Sequence, residues 1–140
     1  MAAEFSATVL RGLADNPSEE SSYDSIVSSV ERCERHVEPK CEEGMLWSVT
    51  TIARSALYGG TRCVAVCRSF DRAVQIVETN EGDIWETTYQ LAVIEGVAPD
   101  QLYPTSSELQ FWFVWDLESR TYAPIRVPAA YECTFGIGLG

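Results

Sequence analysis

The chain has 140 residues, 46% of them hydrophobic and 11% aromatic, and 21 acids against ten lysines and arginines give it a net charge of −11. That length suits one ordinary domain with a real core, nothing in it is long and apolar enough to cross a bilayer, and the charge disfavours binding to nucleic-acid phosphates or anionic lipid. An odd set of five cysteines fits the reduced thiols of a cytoplasmic protein better than a disulfide framework, and Met1-Ala2-Ala3-Glu4 lacks the basic start of a secretory signal.

Residues 1–44 read as a helical extension. Phe5, Val9, Leu10 and Leu13 form a short apolar stripe at helical spacing. Asn16 and Pro17 fit an N-cap followed by the first position of a second helix. Tyr23, Ile26, Val27, Val30 and Cys33 continue that helix on one face, and Pro39 ends it. Ten acids against four bases in this stretch make a DNA-reading helix-turn-helix a poor fit, so the expected role is packing or dimerisation.

Residues 45–140 read as an α+β domain, with about five mainly antiparallel strands and one packed helix. The β-branched runs Leu46–Ala53 and Thr61–Cys67, split by Tyr58-Gly59-Gly60, predict a hairpin. Ser69 is placed to cap a helix carrying Phe70, Ala73, Val74 and Val77, which Asn80-Glu81-Gly82 closes. Tyr89–Val97 is the clearest strand, Leu109–Trp115 is an aromatic strand apolar on both faces, and Tyr122–Val127 belongs at an edge because it contains Pro124. The second apolar face of Leu109–Trp115 then needs a cover, expected from the N-terminal helices or a second subunit. The glycine-rich Phe135–Gly140 is a weak strand at best. With no following helix, its glycines do not form a phosphate loop.

Between Arg72 and Arg120 the chain has no basic residue, while Glu78, Glu81, Asp83, Glu86, Glu95, Asp100, Glu108, Asp116 and Glu118 all fall there. Folding can turn that run into a negative surface that attracts cations or a basic protein, or simply into a solvated, solubilising face.

The segment from Asn80 to Tyr89, with Asp83, Trp85 and Glu86, followed by Ala92-Val93-Ile94-Glu95, resembles a family of small uncharacterised bacterial and phage proteins. Their pattern is N-x-x-D-hydrophobic-x-E-x-x-Y and then A-V-I-E. The resemblance extends to Tyr103-Pro104, the tryptophan strand with Trp112 and Trp115, the run Tyr122-Ala123-Pro124-Ile125-Arg126-Val127-Pro128, and Phe135-Gly136-Ile137-Gly138. It covers roughly residues 47 to 138 and leaves the N-terminal extension outside. It implies no reaction; occurrence in phages implies a modulator of host or defence proteins rather than a metabolic enzyme.

Asn80, Asp83, Glu86, Tyr89 and Glu95, with Trp112 and Trp115, are the candidate ligand- or partner-binding residues. One helical turn would put Asp83 and Glu86 on one face, and converging carboxylates beside a tyrosine can bind a divalent cation or serve as acid and base. A structural reading competes: Asp83 capping backbone amides, Glu86 paired with Arg72 or Arg126, Asn80 holding a left-handed residue at the helix end. Glu95, in an apolar strand, must either face solvent or have a dedicated partner. Cys33, His36 and Cys41, with Cys63 or Cys67, hold potential zinc ligands at a spacing that matches no strong pattern, so no metal or cofactor is assigned. Two functions of different class follow: a non-catalytic, oligomeric acidic module for a basic protein surface, or a small-molecule or cation site, with or without hydrolytic activity, built on Asp83, Glu86 and Glu95. No catalytic motif is present, which favours the first.

Overall fold

A computed structural model describes residues 30–40, 43–53, 60–86, 89–100, 107–132, 134, 136 and 137. Five strands make one antiparallel sheet: β1 (Leu46–Ala53), β2 (Thr61–Cys67), β3 (Tyr89–Val97), β4 (Gln110–Asp116) and β5 (Thr121–Ile125), in the order β2-β1-β3-β4-β5. One helix, α1 (Phe70–Glu78), joins β2 to β3. The expected α+β class, antiparallel sheet and single packed helix are all present. Among the described residues no helix is long and apolar enough to cross a membrane.

Local chemistry explains each element. In α1, Ser69 is extended and its side chain accepts from the Arg72 N–H at 3.2 Å, which satisfies one of the helix's orphan donors. Phe70, Ala73, Val74, Ile76 and Val77 then fall on the buried stripe. At the other end the Thr79 hydroxyl donates to the Gln75 carbonyl at 2.7 Å, and Asn80 takes the left-handed conformation. β3 is the middle strand, so both its faces are covered and everything from Leu91 to Val97 is buried. β5 lies at an edge, where Pro124 lacks only a donor that the ladder does not need.

The sheet divides the core. On the helix side, Trp47, Val49, Ala92, Ile94, Phe111, Phe113 and Trp115 meet the apolar stripe of α1. Trp47 can lie flat across β3 because its ladder partner is Gly96: a Cβ there would sit 2.7 Å from the indole. On the other side, Ile52, Leu91, Val93, Trp112, Val114 and Ile125 form a second cluster, against which Val30, Tyr131 and Ile137 pack. That second face therefore has a cover from its own chain, and much of it is the C-terminal segment. The argument for a second subunit from an uncovered aromatic strand no longer has a basis.

Residues 1–29 lie outside the described residues, and with them most of the expected helical extension. Residues 30–40 are not the helix expected to run on to Pro39. They form no helix: Arg32 bridges to Ile125 and the chain bends at Glu34. The Cys33 N–H donates to the Pro124 carbonyl at 3.1 Å and the Arg126 N–H to the Glu31 carbonyl at 2.9 Å. The outer edge of β5 carries these groups, and an extended neighbour satisfies them where a helix would leave them to water. Tertiary pairing overrides the local helical spacing.

Candidate functional site

The loop from Asn80 to Glu86 is where most of the candidate residues stand. It is not a helical turn. Asn80, Asp83 and Glu86 have φ of 50°, 55° and 38°, left-handed values that disfavour residues with a Cβ. The side chain of Asn80 compensates: its oxygen accepts from the Trp85 N–H at 2.9 Å and its amide donates to Asp83 at 3.2 Å. Asp83 and Glu86 therefore do not share a helix face.

Glu86 pairs with Arg62 of β2, Nη1 to Oε1 at 2.9 Å, and not with Arg72 or Arg126. Arg72 instead makes a two-pronged contact with Glu81, which holds the Glu81 carboxyl below its usual range chiefly through the hydrogen bond. Arg126 lies 3.5 Å from Glu31. The Arg62 guanidinium also sits 4.8 Å over the ring of Tyr89. The Tyr89 carbonyl accepts from the Tyr122 hydroxyl at 2.7 Å. Burial pushes the Tyr122 phenol up, with Arg62 opposing and Asp83 adding to the shift.

These contacts, together with the strand register, gather one end of the sheet. Leu91 stands opposite Val114, and Trp115 opposite Tyr122, so the start of β3 meets the turn between β4 and β5. Trp115 is buried, stacked on half-buried Trp85 at 4.5 Å and edge-on to Tyr122 at 5.2 Å. In the turn, Asp116 accepts from the Glu118 N–H and the Ser119 hydroxyl, both at 3.1 Å. Asp83, Glu86, Asp116 and Glu118 thus share this end with Arg62 and Arg120.

Glu95 is elsewhere. Six residues along an extended strand from Tyr89 is about 20 Å. Glu95 is fully buried, and its Oε2 accepts from the Gln110 side-chain amide at 2.9 Å and from the Gly136 N–H at 2.8 Å. It has dedicated partners, as a buried carboxylate must. Three carboxylates at one centre, the premise of the cation or hydrolase reading, are not assembled here.

Trp112 stands on the face away from α1, its ring 4.9 Å from Tyr131. It is core, and not an outward aromatic free to stack on a ligand. His36 is wedged edge-on between Phe111 and Phe113, and its Nε2 is 2.8 Å from the Trp112 carbonyl, which fixes the hydrogen on that nitrogen because a carbonyl only accepts. Cys33, Cys63 and Cys67 are unbridged, and Cys41 lies outside the described residues. Among the described residues no group of three or more His, Cys, Asp or Glu is placed to hold a metal.

Arg62, Gln110 and Tyr122 were not singled out as candidates. One signal existed for Gln110: a lone amide in an apolar run, complementary to a lone glutamate in another. Arg62 carried none, because its contacts depend on how β2 and the loop after α1 come together. No protein-family model, curated protein or solved structure matches the chain.

Proposed function

We propose that the protein is a non-catalytic acidic module that engages a basic protein surface, through the end of the sheet where Asp83, Asp116 and Glu118 gather. The observation that carries this reading is how six of the nine acids between Arg72 and Arg120 are used. Glu95 is spent inside the core, and Glu81 and Glu86 are neutralised by Arg72 and Arg62. Asp83, Asp116 and Glu118 are left beside Arg120 on a platform stiffened by the Trp85–Trp115 stack. Fixed like charges on a rigid rim raise the local potential and speed the encounter with a cationic partner. The likeness to phage proteins extends the proposal to a modulator of host or defence proteins.

Glu81 and Glu86 are poor probes of this surface, because reversing either one frees an arginine. The test is association of the full chain with an immobilised arginine- and lysine-rich peptide. Affinity is expected to fall roughly tenfold between about 50 and 300 mM salt. Binding that ignores salt refutes the reading.

A further inference from the structure

Tyr131 and Ile137 place the C-terminal segment on the sheet face opposite α1, and none of its described residues joins a ladder. Tyr131 lies on Trp112, and Ile137 packs on the cluster that includes Leu91, Val93 and Ile125. What fixes the segment is a pair of side chains. The Gln110 amide donates both to Glu95 Oε2 at 2.9 Å and to the Thr134 carbonyl at 2.7 Å, and the same Glu95 oxygen accepts from the Gly136 N–H at 2.8 Å. Beyond these, the Thr61 hydroxyl reaches the Ile137 carbonyl at a long 3.5 Å. The clamp reads main-chain groups two residues apart, so it sets the position of the segment whatever side chains it carries.

Closing this cover has a cost in buried polar atoms, as packing on the helix side does, where Trp85 Nε1 is likewise buried without a partner. Thr50 Oγ1 and Trp112 Nε1 are buried with no hydrogen-bond partner. Both residues are at most 1% exposed, and both stand directly opposite Val93, so they lie on the covered face. Lifting the segment lets water reach them, which favours the open form. Gly136, at φ 70°, adds chain entropy to the same side. β3, by contrast, is hydrogen-bonded along both edges.

We propose that the C-terminal segment is a releasable strap, latched by Glu95 and Gln110, that opens without unfolding of the sheet and uncovers the face carrying Leu91, Val93 and Trp112. Opening is a local event with its own free energy, below that of global unfolding.

Native-state hydrogen exchange on the full chain tests this. The Gly136 amide is expected to exchange at least about a hundredfold faster than those of Val93 and Ile94, with little dependence on denaturant, since a strap exposes far less surface than a core. Equal protection and equal denaturant slopes at Gly136 and Val93 would overturn the proposal. Gln110→Ala removes one anchor, and its Gly136 amide is expected to exchange about tenfold faster than in the unaltered chain. An unchanged Gly136 rate in that variant denies Gln110 the role of latch. If the variant does not fold, the comparison of Gly136 with Val93 in the unaltered chain still decides.

Discussion

The two faces of the sheet are closed in different ways. On the helix side the cover is a regular element whose amides are satisfied within it. The contacts between α1 and the sheet are apolar and interlocked, Trp47 edge-on to Phe70 at 5.2 Å and Phe70 edge-on to Phe111 at 4.8 Å. Beside them His36, from irregular chain, packs edge-on to Phe111 and Phe113 and hydrogen-bonds the Trp112 carbonyl. On the other side the cover is irregular chain, and irregular chain brings unpaired N–H and C=O groups into contact with a core. Buried Glu95 and Gln110 answer that need, which is why two polar side chains stand in strands otherwise built for burial. A regular cover can rest on shape alone, whereas an irregular one needs side-chain hydrogen bonds.

Truncating each side sharpens the contrast. Trp47→Ala empties the middle of the helix-side cluster and is expected to lower unfolding stability by about 3–5 kcal/mol in denaturant titration. Glu95→Leu strands the Gly136 N–H and is expected to cost about 1–3 kcal/mol, a loss capped by the free energy of opening the strap. A Glu95→Leu loss as large as that of Trp47→Ala would break the distinction between the faces.

Tyr122→Phe removes the hydroxyl that the Tyr89 carbonyl accepts and is expected to cost about 0.5–1.5 kcal/mol. Burial raises this phenol in the folded protein, so its stabilising contribution is whole below about pH 10, where a free tyrosine ionises, and is lost as pH climbs past that point. The alkaline decline of the unfolding midpoint is therefore expected to be shallower in the variant. An identical alkaline limb would place the titration elsewhere.

The smallest effect belongs to Glu81→Gln. The Arg72–Glu81 pair is exposed on both sides, so the midpoint at pH 7 should not move measurably. Arg72 lowers the Glu81 carboxyl, so whatever the pair contributes is present above about pH 4.5. It fades as pH falls through the lowered folded value, and the two proteins should converge once that carboxyl is protonated. A shift at pH 7 as large as that of Tyr122→Phe would show that this exposed pair carries structural weight.

Much of the domain was legible because its signals are local. The β-branched runs Leu46–Ala53 and Thr61–Cys67, the cap at Ser69 and the proline in β5 each act over a few residues, and the strands and helix stand where those residues place them. The register of Glu95 against Gln110 was not legible, since it depends on strands that are far apart in sequence. Nor was the non-helical path of residues 30–40: Val30 and Cys33 keep a helical spacing, but the open edge of β5 decides. Asp83 and Glu86 misled through the same neglect of tertiary context, their three-residue interval falling in a left-handed loop. Of the glycine-rich last residues only Gly136 and Ile137 are among the described ones, and their use as a cover depends on Glu95 and Gln110 from two other strands.

The most direct test of the acidic end compares two charge-matched variants of the full chain. One carries Asp83→Asn, Asp116→Asn and Glu118→Gln; the other carries Glu34→Gln, Glu38→Gln and Asp71→Asn, all exposed and outside both the Asn80–Glu86 loop and the β4–β5 turn. Each loses three negative charges, so non-specific attraction is the same. Binding to the arginine- and lysine-rich peptide is expected to weaken by roughly tenfold or more in the first and by less than about twofold in the second. Equal weakening in both would mean that net charge alone attracts the peptide, and would contradict a dedicated surface.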